Sequence, residues 1–97
     1  MKNSKNKIIG FSKKTKQVDS DKLKKRQFIE ARIIEASELI QLGKIKDAEI
    51  LYKKLVRLGF KDSRIYTNLA SIFYTRNQIT EMIRLLNIAI NIDPNYY

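Results

Sequence analysis

Two pairs of carboxylates, Asp47 with Glu49 and Glu35 with Glu38, come nearest in this sequence to side chains that could do chemistry. Two carboxylates held close together can share a proton and divide the roles of acid and base. Cations stand among them, however. Lys44, Lys46 and Lys53 flank Asp47 and Glu49 at spacings that give ordinary i,i+3 or i,i+4 charge pairs on a solvated helix face. The chain contains no Cys and no His, which excludes disulfides, zinc fingers, thiol nucleophiles and imidazole bases. It also lacks a Gly-rich phosphate loop and any cluster of metal-ligating side chains. The expectation is a protein that is not an enzyme, with no catalytic residues, no cofactor and no metal.

What could carry function is then charge or a binding surface. With 97 residues, the chain has room for one small domain and one modest core. It holds 20 Lys and Arg against 10 Asp and Glu, a net charge of +10. That charge is unevenly placed: residues 1–26 carry nine Lys and one Arg against Asp19 and Asp21, a surplus of eight, and the rest carries a surplus of two. Apolar residues divide at the same place, with 6 among the first 26 and 36 among the remaining 71. A basic polar arm therefore precedes a nearly neutral, apolar body.

Residues 1–18 are expected to be disordered, because Lys, Asn and Ser dominate and too little apolar surface is present to offset the entropy of ordering. Lys-rich segments attract polyanions, but the arm has a single aromatic, Phe11, and the body has no recognisable reader motif. Nucleic acid is not the expected partner; nonspecific polyanion contact is a lesser reading. The ratio of 14 Lys to 6 Arg, with 15 Ile and 7 Asn, is also what an AT-rich coding sequence would yield. No apolar run approaches the ~18 residues of a membrane span. The start is Met-Lys, where myristoylation requires Met-Gly. With no signal-peptide core either, a cytoplasmic location is the default.

The body, residues 19–97, reads as four helices, at about 20–42, 45–58, 63–76 and 79–92. Asp19 or Ser20 can cap the first. Its stripe is Phe28, Ala31, Ile34 or Ile33, Ala36, Leu39, Ile40 and Leu42, recurring at three- and four-residue steps. Gly43 ends it as a left-handed cap. The second runs through Ala48, Leu51, Tyr52, Leu55 and Leu58 to Gly59. The third, capped by Asp62 or Ser63, carries Ile65, Tyr66, Leu69, Ala70, Ile72 and Phe73 and stops at Asn77, another residue tolerant of left-handed backbone. The fourth presents Ile79, Met82, Ile83, Leu86, Ala89, Ile90 and Ile92 before Pro94 closes it.

Shifting the body by 34 residues lays one helix pair on the other. Ala36 falls on Ala70, Ser37 on Ser71, Ile45 on Ile79 and Leu51 on Leu85, while Leu39 falls on Phe73, Asp47 on Glu81, Val56 on Ile90 and Leu58 on Ile92. Gly43 falls on Asn77, so the turns coincide as well.

A repeat of this length and form resembles the tetratricopeptide family over about residues 29–95. In the second copy Tyr66, Leu69, Ala70, Phe73, Ala89 and the Asp93-Pro94 closure match the family's pattern, with Asn77 at the turn glycine. Met82 and Leu86 depart from the usual Ala and aromatic. The first copy matches through Ala36, Gly43, Ala48 and Tyr52, and departs at Arg32, Glu35, Leu39 and Phe60. The resemblance implies an all-α, helical-repeat superhelix of two helix pairs following a disordered basic arm. It also implies a concave face, lined by the first helix of each pair, that receives a peptide or a partner's helix.

On this chain that face comprises Glu30, Ile33, Ser37, Ile40 and Gln41 from the first copy, and Arg64, Thr67, Asn68, Ser71, Tyr74 and Thr75 from the second. Ile33, Ile40 and Tyr74 would form its apolar strip, or else pack on the extended first helix or a neighbouring chain. Some family members grip a terminal carboxylate between Lys and Asn. Here Ile33 and Ser37 stand at the matching places and only Asn68 fits, so a free peptide C-terminus is not the expected ligand. The leading function is a protein–protein interaction scaffold. The alternative is an N-terminal segment of a larger enzyme of glycosyl- or sulfotransferase type. The residues stop where a third repeat would begin, so either a longer array or fusion continues from here or the last helix pair self-associates, with Ile72, Ile88, Tyr96 and Tyr97 expected at that surface.

Overall fold

A computed structural model describes residues 2–95, with side chains described for residues 20–95. All regular structure among these residues is helical: α1 (Lys2–Gln41), α2 (Ile45–Arg57), α3 (Ser63–Thr75) and α4 (Ile79–Ile92). Two units are distinguished, residues 1–30 and 31–97. In the first unit the described side chains of Leu23 and Phe28 are exposed. The second unit holds the core, built from residues 31–41 of α1 with α2, α3 and α4.

The helix boundaries fall within a residue or so of the sequence reading, with one exception. That exception is the start of α1, which lies at Lys2 and not near Asp19 or Ser20. Between those points the sequence has no proline, the one residue type that would bar the helix from continuing, although Gly10 and several Asn and Ser residues weaken it. Residues 2–18, within the arm expected to be disordered, belong to α1 with no side chain described, and Met1, Tyr96 and Tyr97 lie outside the described residues.

Each of the first three helices stops in the same way. The Gly43 N–H donates to the Ile40 carbonyl at 3.0 Å and the Lys44 N–H to Leu39 at 2.8 Å. Gly59 and Phe60 donate to Val56 and Leu55 at 3.0 and 3.3 Å, and Asn77 and Gln78 to Tyr74 and Phe73, both at 2.9 Å. This paired closure satisfies two carbonyls that a helix end would otherwise leave free, and it needs a left-handed residue at its centre. Gly43 (φ +78°), Gly59 (φ +87°) and Asn77 (φ +59°) supply it. The two closing bonds at Gly43–Lys44 and at Asn77–Gln78 correspond at the 34-residue shift. Even the next residue repeats, Lys44 at φ −88°, ψ 62° and Gln78 at φ −96°, ψ 72°. Asp62, and not Ser63, caps α3 by accepting from the Arg64 N–H at 3.0 Å.

In the core, every helix buries an alanine: Ala36, Ala48, Ala70 and Ala89. Small residues let helix axes approach, and the larger side chains of Tyr52, Leu55, Ile65, Leu69 and Leu85 fill what remains. Helix α3 packs most closely on α4 and also lies against α2. Several residues expected on inner faces are exposed instead. Ile33 is buried and Ile34 is not, which decides that alternative. Leu42 and Leu58 are exposed because each sits at or next to a helix's C-terminal cap, where the chain is already turning away. On α4, Ile79, Ile83 and Ile90 are exposed on a face that no described helix covers.

Candidate functional site

The expected binding face begins with a polar link between helices. Tyr52 on α2 is fully buried, and its hydroxyl accepts a hydrogen bond from Asn68 Nδ2 on α3 at 2.9 Å. Burial pushes the Tyr52 phenol above its ordinary pKa, while hydrogen bonds with Asn68 and Ser37 act the other way. Asn68, placed on the open face by the sequence reading, is thus occupied in joining α3 to α2. The physical reason is that a buried hydroxyl without a partner costs more than an exposed amide gains by staying in water.

Ile33 also leaves the open face. It is 8% exposed and belongs to the core, so the apolar strip expected from Ile33, Ile40 and Tyr74 is reduced to its last two members. Arg64 is turned back on Asp62 through Nε at 3.0 Å and Nη2 at 2.8 Å, and its guanidinium holds the Asp62 carboxyl below the usual range against the effect of burial. Thr67 and Thr75 donate their hydroxyls to the carbonyls of Ser63 and Ile72 at 2.9 and 2.6 Å. Gln41 is exposed.

What the fold brings together is a pair of hollows with Ser71 in both. One, of about 270 Å³, is lined by Thr67, Ala70, Ser71 and Tyr74 of α3 with Met82 and Leu86 of α4. The other, of about 90 Å³, is lined by Ile40, Ile45, Ser71, Ile72 and Thr75. Tyr74 stands 63% exposed at the edge of the first. Ile72, expected at a self-association surface, is buried between helices.

The first hollow has a counterpart one repeat earlier. Subtracting 34 from its residues gives Ile33, Ala36, Ser37, Ile40, Ala48 and Tyr52. Of these Ile33, Ala36, Ala48 and Tyr52 are buried, and Asn68 of α3 reaches the Tyr52 hydroxyl. Positions 34 residues apart therefore differ in burial, with four of the six buried in the first set and the second set lining an open hollow.

Sequence reasoning misses two features. From spacing alone Glu49 is a member of a solvated i,i+4 pair, and it does meet Lys53 Nζ at 2.8 Å, yet it also meets Arg76 Nη1, at the end of α3, at 2.7 Å. Lys53, and then Arg76, holds the Glu49 carboxyl below its ordinary pKa, with burial opposing. The second feature is a trough between α2, α3 and α4 of about 490 Å³, lined by Lys53, Val56, Arg57, Tyr66, Leu69, Phe73, Glu81, Arg84, Leu85 and Ile88. Its residues are scattered over three helices, and no local period collects them.

Among the described residues no group of three or more His, Cys, Asp or Glu is placed to hold a metal, and no helix is long and apolar enough to cross a membrane. No family model, curated protein or solved structure matches the chain.

Proposed function

We propose that this chain is a protein-interaction module made of two tetratricopeptide-like helix pairs, and that the hollow between α3 and α4 receives a helix of a partner. The observation that carries this reading is the difference in burial at positions 34 residues apart. Ile33, Ala48 and Tyr52 are buried, whereas Thr67, Met82 and Leu86, 34 positions later, line an open hollow of about 270 Å³. A hollow whose counterpart positions in the same chain are largely buried, and whose floor holds Ala70 and Ser71, offers the small-residue surface that helix packing needs.

The face is neutral, since Arg64 is paired and the threonine hydroxyls are taken by carbonyls. Its selectivity would come from fit and from Tyr74, an exposed aromatic of the kind enriched at binding hot spots. Exposed Ile79, Ile83 and Ile90 on α4 extend the apolar surface beside it, and a second copy of the chain is one source of a covering helix.

Selection of helical peptides from a display library against the full chain tests the proposal. Peptides are expected to lose binding by about tenfold or more on Tyr74→Glu, the scale of a hot-spot change, with helicity unchanged by circular dichroism. Selected peptides that bind Tyr74→Glu as tightly as the unaltered chain would refute it.

A further inference from the structure

We propose a second binding surface, the trough between α2, α3 and α4, whose occupant is an acidic amphipathic peptide segment. This surface is separate from the α3/α4 hollow, and its evidence is independent of the repeat.

Two cavities make up the trough. The one of about 490 Å³ and a neighbour of about 550 Å³, lined by Lys61, Tyr66, Ile88, Asn91 and Ile92, share Tyr66 and Ile88 as walls. The floor is aliphatic and aromatic. Four cations stand along it, Lys53 and Arg57 on α2, Lys61 on the following loop and Arg84 on α4, against the single carboxylate Glu81.

The charges differ in how far they are neutralised. Arg84 Nε meets Glu81 at 2.9 Å, and Lys53 meets Glu49 at 2.8 Å. Arg57 and Lys61 have no carboxylate within ion-pair distance among the described residues. An occupant with apolar side chains for the floor and carboxylates for Arg57 and Lys61 would complete both halves of the surface, and complementary charge of this kind governs encounter and register.

Nucleic acid would also be drawn to cations beside aromatic rings. Here, however, the Lys53 ammonium lies over the Phe73 ring, 5.6 Å from its centroid, so one face of that ring is already taken by a cation. The surrounding floor of Val56, Leu69, Leu85 and Ile88 suits aliphatic side chains. These features favour a peptide.

The test is fluorescence anisotropy of the full chain with a short labelled peptide of Glu, Leu and Phe in amphipathic order. Controls are its scrambled form, its Gln-for-Glu form and labelled oligothymidylate. The amphipathic acidic peptide is expected to bind best and to lose about tenfold or more in affinity on the double change Arg57→Glu with Lys61→Glu. The milder pair Arg57→Gln with Lys61→Gln should show a smaller loss, and both pairs should melt like the unaltered chain. Tyr74→Glu should leave this binding unchanged, which separates the trough from the α3/α4 hollow. Equal binding of the scrambled peptide, tighter binding of oligothymidylate, or full affinity in the double variant would overturn the proposal.

Discussion

Replacing Glu49 with Gln should destabilise the helical body at neutral pH and leave it nearly untouched in acid. The Glu49 side chain is 13% exposed and meets Lys53 at 2.8 Å and Arg76 at 2.7 Å, so one carboxylate ties α2 to the end of α3. A charge-assisted hydrogen bond contributes ~1.5–3 kcal/mol when well shielded. Both cations are partly in water, with side chains 50% and 35% exposed, so that figure must be discounted for screening. The Lys53 contact is an i,i+4 pair worth ~0.3–0.5 kcal/mol. The Arg76 contact joins two elements and is worth ~1 kcal/mol on the same scale. The sum is about 1–2 kcal/mol, or roughly 5–15 °C in melting temperature for a body of this size.

The pH dependence carries a definite sign. The folded state holds the Glu49 carboxyl below its unfolded value of 4.5, chiefly through the Lys53 hydrogen bond, so the unfolded chain binds the proton more readily. The stabilisation is therefore complete above about pH 4.5 and is lost as pH falls through the lower folded value. Thermal unfolding followed by circular dichroism at pH 7 and near pH 2 measures both ends. A Glu49→Gln deficit of equal size at the two pH values would refute the electrostatic account, because only packing would then have changed. No deficit at pH 7 would refute it as well.

Two further pairs of substitutions test the repeat itself. Gly43→Ala forces a side chain into left-handed backbone and should lower stability by ~1–2 kcal/mol in a denaturant titration, whereas Gly43→Asn should cost much less, because Asn77 already occupies the equivalent turn at φ +59°. Ala48→Leu should cost about 1–3 kcal/mol by overpacking a closed site, whereas Met82→Leu, at the same place in the open copy, should stay within about 0.5 kcal/mol.

Much of the backbone is legible in the residues themselves. Gly43, Gly59 and Asn77 announce their turns, Asp62 or Ser63 the cap of α3, and Pro94 the end of α4, because each acts through its own φ, its own side chain or a hydrogen bond to a near neighbour. The agreement between Gly43 and Asn77 at the 34-residue shift is equally visible, and the hydrogen bonds around them repeat it.

Individual members of the binding face are harder to read. Ile33 and Tyr74 both look like apolar residues of an open face, yet one is core and the other is 63% exposed. The difference lies in what surrounds each residue after folding, which the spacing of apolar residues along one helix does not contain. Asn68 looks free because its partner Tyr52 is 16 residues away on another helix. Nothing in the spacing connects Arg76 with Glu49, for the same reason.

The sequence by itself determined four helices and their turns, since helix formation and capping are local and follow the residues that encode them. Only the tertiary structure decided which of the matching positions are buried, which polar side chains are spent on joining helices, and which cations are left facing an apolar trough. Those outcomes depend on contacts between residues far apart in the chain, and a one-dimensional pattern holds the spacing of such residues but not their meeting.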